Sequence, residues 1–335
     1  MSAPDILLLC AVSQMYFLTT NEKKLLLENI DTADRLALLS VEDISFIIHR
    51  RCRAAGWNGS EIVRQAEKSA GIIRRLGISY VLHENLPELL KEIPDVPFML
   101  FYRGRFDALR AECISVVGTR RLTPDGRAGA YAFGFDAAKA GMTVVSGLAF
   151  GADERAHEGA VAAGGCTAAV LPCGADTVIP SAHVSLAVRI LECGGCLVSE
   201  YAPGIPAEKW RFVQRNRIVA GLSQSVVVIQ APPGSGALLT ADFALGYGRD
   251  VLFHKAAFCE QAAAVAARER NKLSLRVAHG EKKRYKLENI PEKYISEGAP
   301  VIQDFADYKR WLSEIPGSRS GCAGRRSDAL QPELF

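Results

Sequence analysis

Between residues 113 and 253 the chain repeats one unit: a short apolar run, a turn rich in small residues, then a stretch with helix start and stop signals. Ile114-Ser115-Val116-Val117 ends at Gly118, Thr123 stands as N-cap with Pro124 at the first helical position, and Gly141 closes the helix. Strand 143–146 precedes helix 152–163, stopped by Gly164-Gly165; strand 167–171 precedes helix 182–193, stopped by Gly194-Gly195; strand 196–199 follows. A helix near 214–222 leads to Val226-Val227-Val228-Ile229, then a helix over 237–247 and strand 250–253. Strands that are apolar throughout and separated by helices must be covered on both faces. The pattern predicts an α/β fold with a Rossmann-like, doubly wound parallel sheet.

The flanks read differently. Residues 1–95 predict a small N-terminal helical domain, with helices over 7–18, 22–30, 32–39, 41–55 and 59–76 and a strand candidate at 78–82. Pro94 and Pro97 punctuate the boundary, and Phe98 to Tyr102 opens the sheet domain, residues 96–315. Within it, residues 260–293 interrupt the pattern as an insertion in which alanine gives way to Arg268, Arg270, Lys272, Arg276, Lys282, Lys283, Arg284 and Lys286. Such a run ordinarily faces water; a nucleic-acid role is the alternative. Val301-Ile302 predicts a strand and 305–312 a helix, while the tail 316–335, rich in Ser, Gly and Arg, predicts disorder.

A net charge of +3 is too small to announce a polyanion partner, so a basic site must come from local clustering. Nine cysteines, an odd count, do not suggest a disulfide framework, and Cys193-Gly-Gly-Cys196 lacks the second pair of a zinc site. No metal or cofactor is expected. Neither a basic leader nor a run of membrane-spanning length appears, and a cytoplasmic protein without membrane insertion is the default.

Open α/β sheets bind ligands beyond the carboxyl ends of their strands. Those ends carry Gly118-Thr119-Arg120-Arg121, Ser146-Gly147-Leu148-Ala149 with Gly151 and Asp153, Pro172-Cys173-Gly174, Ser199-Glu200, and Pro233-Gly234-Ser235-Gly236 ahead of Thr240. Glycine lets backbone N–H groups approach an anion, helix N-termini add a favourable dipole, and Arg120 with Arg121 makes the cradle cationic. A second cluster, residues 209–217, interleaves basic side chains with Trp210 and Phe212, which suits phosphates and stacked bases. The bland reading of that cluster is a surface loop anchored by its rings. No G-x-G-x-x-G follows the first strand, no Walker motif occurs, and Ser146 with Asp153 and His157 does not form a nucleophile elbow. His157 reads as a polar helix residue lining the pocket.

Taken together, these motifs resemble the DNA-processing protein A family, also called Smf. The resemblance rests on Val116-Val117-Gly118-Thr119-Arg120, Val144 through Ala149 with Gly151 and Asp153, His157-Glu158-Gly159-Ala160, Cys173-Gly174, Ser199-Glu200-Tyr201, Arg215-Asn216-Arg217-Ile218-Val219-Ala220-Gly221-Leu222-Ser223, and Ser235-Gly236-Ala237-Leu238. It implies an extended Rossmann fold that forms a homodimer, binds and shields single-stranded DNA, and helps load the RecA recombinase during natural transformation, the competence pathway of DNA recombination. Carried over by motif, Arg120, Ser146, Gly147, Phe212, Arg215, Asn216 and Arg217 are DNA contacts. Arg120, Arg215 and Arg217 would take phosphates and Phe212 would stack on a base. With the other strand-end residues, the predicted DNA site comprises Gly118, Thr119, Arg120, Arg121, Ser146, Gly147, Phe150, Phe212, Arg215, Asn216, Arg217, Ser235 and Gly236.

The chain departs from the family pattern at Phe150, where a Lys or Arg is usual, and at His254-Lys255, in place of Pro-Gly. The N-terminal Gly-rich hairpin signature and the C-terminal winged-helix-like module are not seen. The reading is a DNA-binding protein that is not an enzyme. An alternative of another class is a nucleotide phosphoribohydrolase, whose P-G-G-x-G-T loop is imitated by Pro233 to Ala237, with Asp242 as the first carboxylate available for acid–base work.

Overall fold

The computed structural model describes residues 5–54, 56–280 and 285–314. The strands are β1 (Ser79–Leu82), β2 (Met99–Gly104), β3 (Cys113–Val117), β4 (Thr143–Ser146), β5 (Thr167–Val170), β6 (Cys196–Ser199), β7 (Ser225–Val228), β8 (Asp250–His254) and β9 (Val301–Ile302). Five helices precede them: α1 (Ile6–Ser13), α2 (Thr20–Asn29), α3 (Ala33–Ala37), α4 (Val41–Ile47) and α5 (Gly59–Leu76). Interleaved with the strands are α6 (Glu88–Lys91), α7 (Pro124–Lys139), α8 (Ala152–Ala162), α9 (Val184–Glu192), α10 (Lys209–Gly221), α11 (Gly236–Gly246), α12 (Glu260–Ala278), α13 (Tyr285–Glu288), α14 (Pro291–Ser296) and α15 (Phe305–Glu314).

The strands form one sheet in the order β1-β2-β6-β5-β4-β3-β7-β8-β9. From β3 the winding runs through β4 and β5 to β6, then returns to place β7 on the other side of β3. The switch point therefore lies between β3 and β7, the position where doubly wound sheets bind ligands. Every pairing from β6 across to β9 is parallel. At the far edge β2 runs antiparallel to both β1 and β6, so the sheet is mixed rather than parallel throughout. The reason is topological: β2 precedes the winding and pairs onto its outer strand β6, with β1 added in turn to β2. The boundary expected at residue 95 falls between these two paired strands.

Burial follows the two-residue period of a strand. On one face, Ile114 and Val116 of β3 pack with Phe133 of α7, Ala156 of α8 and Tyr308 of α15. On the other, Cys113 and Val117 pack with Ile218 and Val219 of α10 and with Leu238 and Ala241 of α11. The N-terminal helices gather Leu8, Leu9, Leu26, Leu36 and Val63 around Phe98, Met99 and Phe101, covering the β2 edge. Local signals fix the helix starts: Thr123 accepts from the Gly126 N–H with Pro124 at the first position, and Thr19 and Ser40 each complete a capping box. Three N-terminal helices, α1, α3 and α4, are shorter than their periodicity predicts. The chain turns after α1 to reach the Thr19 cap, and His49, at φ 54°, interrupts the path beyond α4.

Helices α12 to α14 stand between β8 and β9, which pair with each other, so the basic insertion lies inside the winding. Lys282, Lys283, Arg284 and the tail 316–335 lie outside the described residues. No helix among the described residues is long and apolar enough to cross a membrane.

Candidate nucleic-acid interface

Helix α10 begins at Lys209, five residues before the start near 214 that the sequence predicts. Lys, Arg and Gln all favour helix, and Glu208 enters it in an extended conformation (φ −129°, ψ 157°). The aromatic-basic cluster is thus helical rather than a loop, and helical spacing sorts it. Arg211 and Arg215 stand one turn apart, as do Phe212 and Asn216.

Trp210 and Arg211 turn toward the N-terminal helices. Arg211 is buried, donates to the Pro206 carbonyl, and lies 4.8 Å from the Trp210 ring, 5.3 Å from Tyr201 and 5.9 Å from Tyr16. This cation held among three rings joins the loop after α1 to the sheet domain.

Arg215 turns the other way, to the switch-point side. It is 5% exposed, and its guanidinium lies flat against Gly147, where a methyl group would collide with it. Its Nε has no hydrogen-bond partner. Burial lowers its pKa, Asp153 raises it and the neighbouring Arg120 lowers it again; a guanidinium stays protonated throughout. Arg120 is exposed, with its guanidinium 5.5 Å from the centre of the Phe212 ring. Among the described residues, no carboxylate is in ion-pair contact with Arg120, Arg121 or Arg215. Two guanidinium groups, one ring and a glycine floor therefore form a cationic recess in which Arg215 feels the buried Asp153 carboxylate without an ion-pair contact.

Its amides are not bare, contrary to the cradle expected from the glycines. The Asp153 carboxylate accepts from the Gly147 N–H (3.1 Å) and the Ala149 N–H (3.3 Å). Burial pushes the Asp153 carboxyl up; Arg215 and the amides pull it down. The Thr119 N–H donates to the Gln230 carbonyl (2.7 Å), and the half-buried Gly118 packs beneath Ala152. The loop is held tightly enough to keep Leu148, fully buried, at φ 58°. Charge reaches an anion from guanidinium groups, then, not from an amide cradle. Asp153 at the start of α8 was the available signal, since a carboxylate there caps the preceding loop.

Two predicted contacts face inward. Ser146 is fully buried and donates to the Val116 carbonyl (2.6 Å), so it braces β4 against β3. Arg217, 4% exposed, donates to both oxygens of Glu200 (2.5 and 2.6 Å) and lies 3.4 Å from Asp95. Burial lowers its pKa, but Glu200 and Asp95 outweigh this and raise it. Its charge is already neutralised inside the protein.

The remaining positions border the recess. Phe150 is 46% exposed, its ring 4.7 Å edge-on from that of the buried His183. Asn216 donates to the Gly236 carbonyl (3.3 Å), linking α10 to the Ser235-Gly236 turn, where Ser235 caps α11. Arg121 is exposed and lines the crevice between the turns after β3 and β7. His157 is fully buried; its Nδ1 bonds Thr167 Oγ1 (2.6 Å), whose proton goes to the Val144 carbonyl. The ring is therefore the Nδ1–H tautomer, and burial, aided by His183 and Arg215, pushes its pKa down to about 3. Asp242 accepts from the Tyr294 hydroxyl and the Asn289 amide (both 2.6 Å), which ties it to the insertion rather than to the recess.

Comparison with known proteins bears on this arrangement. The family model described as DNA recombination-mediator protein A matches residues 78–278. Protein Smf of Borreliella burgdorferi is 30% identical over 250 residues, 74% of this chain and 79% of the relative. Protein Smf of Synechocystis is 41% identical over 169 residues, 49% of this chain but 42% of the relative. The match thus spans less than half the length of the Synechocystis relative. Among solved structures, the X-ray structure of DNA processing protein A (DprA) from Streptococcus pneumoniae aligns with a TM-score of 0.65 at 26% identity, covering 93% of this chain and 99% of the other.

Proposed function

The chain belongs to the DNA recombination-mediator protein A family, and on that premise we propose that it binds single-stranded DNA through the recess formed by Arg120, Phe212, Arg215 and Gly147. One observation carries the reading: a buried arginine beside an exposed one, both without a carboxylate in ion-pair contact, next to a half-buried ring. Arginine pairs bidentately with phosphate, and two phosphates of one strand can be held while a base meets Phe212 or the exposed Phe150. Because stacking tolerates any base, binding should be indifferent to sequence.

The binding role is not catalytic. Asp242, the carboxylate a phosphoribohydrolase would need, is engaged with Tyr294 and Asn289, and neutral His157 is enclosed away from solvent. The family resemblance extends the proposal to a cytoplasmic homodimer that protects incoming single strands and helps load the RecA recombinase in natural transformation. Thr119, Arg121, Asn216, Ser235 and Gly236 border the path; Ser146 and Arg217 support it from inside.

Competition filter binding tests this reading. A labelled oligothymidine should be retained and displaced by unlabelled single strands of any sequence, with duplex of equal length competing poorly. Equal competition by duplex, or release of base from a nucleoside monophosphate, would overturn it.

A further inference from the structure

A cavity of ≈180 Å³ lies beneath α12 at the switch point, and Arg215 does not line it. The turn after β3 and the turn after β7 form its floor, and the Ala262–Ala266 stretch of α12 its roof. The polar groups of the floor are already matched. Gln230 donates to Thr123 Oγ1 and to the Ala256 carbonyl (both 2.7 Å), and accepts from the Thr123 N–H (3.0 Å). Pro232, Phe258, Ala263 and Ala266 give the cavity an apolar side. At its edge stand Arg121 and Arg270; Glu292 lines it too, yet no ion pair joins it to either arginine among the described residues.

A cleft with an apolar side and guanidinium groups at its edge fits a flat, weakly polar body that carries an anion. The volume sets the size, since a cavity of about 150 Å³ accommodates one benzene-sized ring. That is the scale of one nucleobase. The neighbouring residues Arg120 and Arg121 supply the link. Arg120 lies over Phe212 in the recess, whereas Arg121 lines this cavity, so consecutive residues bring a charge to each.

We propose that the cavity under α12 is a nucleotide-binding site, taking one base between α12 and the turn after β7, with its phosphate on Arg121 and Arg270. A nucleotide unit could come from the strand held in the neighbouring recess or from a free mononucleotide; the first source rests on the function proposed above, the second does not. On either source the insertion between β8 and β9 has a role as the roof of this site.

The test uses the full chain, an oligothymidine carrying one 2-aminopurine, and thymidine 5′-monophosphate. Binding the oligonucleotide should change the 2-aminopurine emission. Ala266→Phe, which fills the cavity, should reduce the change and weaken binding roughly tenfold, the scale of one lost stacked base. Arg270→Ala, at an exposed position, should leave the fold intact and weaken binding in the same direction. If calorimetry shows monophosphate binding that both variants lose, the free nucleotide is a source. Unchanged emission and unchanged affinity for both probes in both variants would overturn the proposal. If the unaltered chain binds no oligonucleotide at all, the recess reading fails instead, and the monophosphate alone decides the cavity.

Discussion

A buried arginine can be consumed by the fold or offered to a ligand, and α10 carries both kinds. Arg217 is neutralised by Glu200 and Asp95, whereas Arg215 faces a recess with only Asp153 nearby and no ion pair. Arg217→Ala should therefore act on stability. Leaving Glu200 without its partner costs about 3–5 kcal/mol in such buried pairs, and urea unfolding should show a lower midpoint. A variant of normal stability would mean the pair is dispensable. His157 makes a second prediction at this scale. Its folded pKa of about 3 lies below the ordinary 6.5, so the neutral ring contributes stability that is complete above pH 6.5 and lost as pH falls toward 3. Asp153, raised by burial, contributes with the opposite sign, its stabilisation being lost as pH rises through its folded value. The difference between the wild-type stability–pH curve and that of His157→Asn isolates the imidazole: the gap should grow from pH 3 to 6.5 and then stay flat. The run Arg215-Asn216-Arg217 was legible in the sequence as a basic motif. Which arginine is spoken for was not, because Asp95 and Glu200 reach Arg217 only through the tertiary fold.

At the scale of elements, the recess depends on how closely α10 approaches the turn after β4. Gly147 sits under the Arg215 guanidinium, the flexible end of a long side chain. Gly147→Ala should fold with little loss of stability yet displace that group, lowering affinity for single-stranded DNA roughly tenfold, the scale of one charged hydrogen bond. Thermal melting and fluorescence anisotropy separate the two effects; wild-type affinity with an intact fold would show that Arg215 does not need this seat. The parallel strands and capped helices from β3 to β8 were readable in the sequence, because period, N-caps and glycine stops are local signals. The antiparallel β1–β2 edge and the early start of α10 were not. A short apolar strand has no local mark of its direction, and an aromatic-basic run has the same composition in a loop as in a helix. The amide-lined cradle inferred from Gly147 and Ala149 was misread for a similar reason: small residues show where an anion can approach, but not that Asp153 is already there.

For the whole molecule, Arg211 within the Tyr16, Tyr201 and Trp210 rings couples the N-terminal helices to the sheet. Arg211→Ala should speed hydrogen exchange in α1 while leaving β3 to β5 protected; uniform exchange would show that the cage does not join the two parts. With the N-terminal helices on the β2 edge and α12 over the switch point, the cationic recess lies between them, framed on both sides. The central claim is that Arg120 and Arg215 hold phosphates of a single strand, and the salt dependence of oligothymidine binding measures this most directly. Each lost phosphate contact should make the slope of log affinity against log salt shallower by about 0.7, so Arg120→Ala and Arg215→Ala should each weaken binding and flatten the slope by that amount. Two folded variants that keep the wild-type affinity and slope would contradict the account.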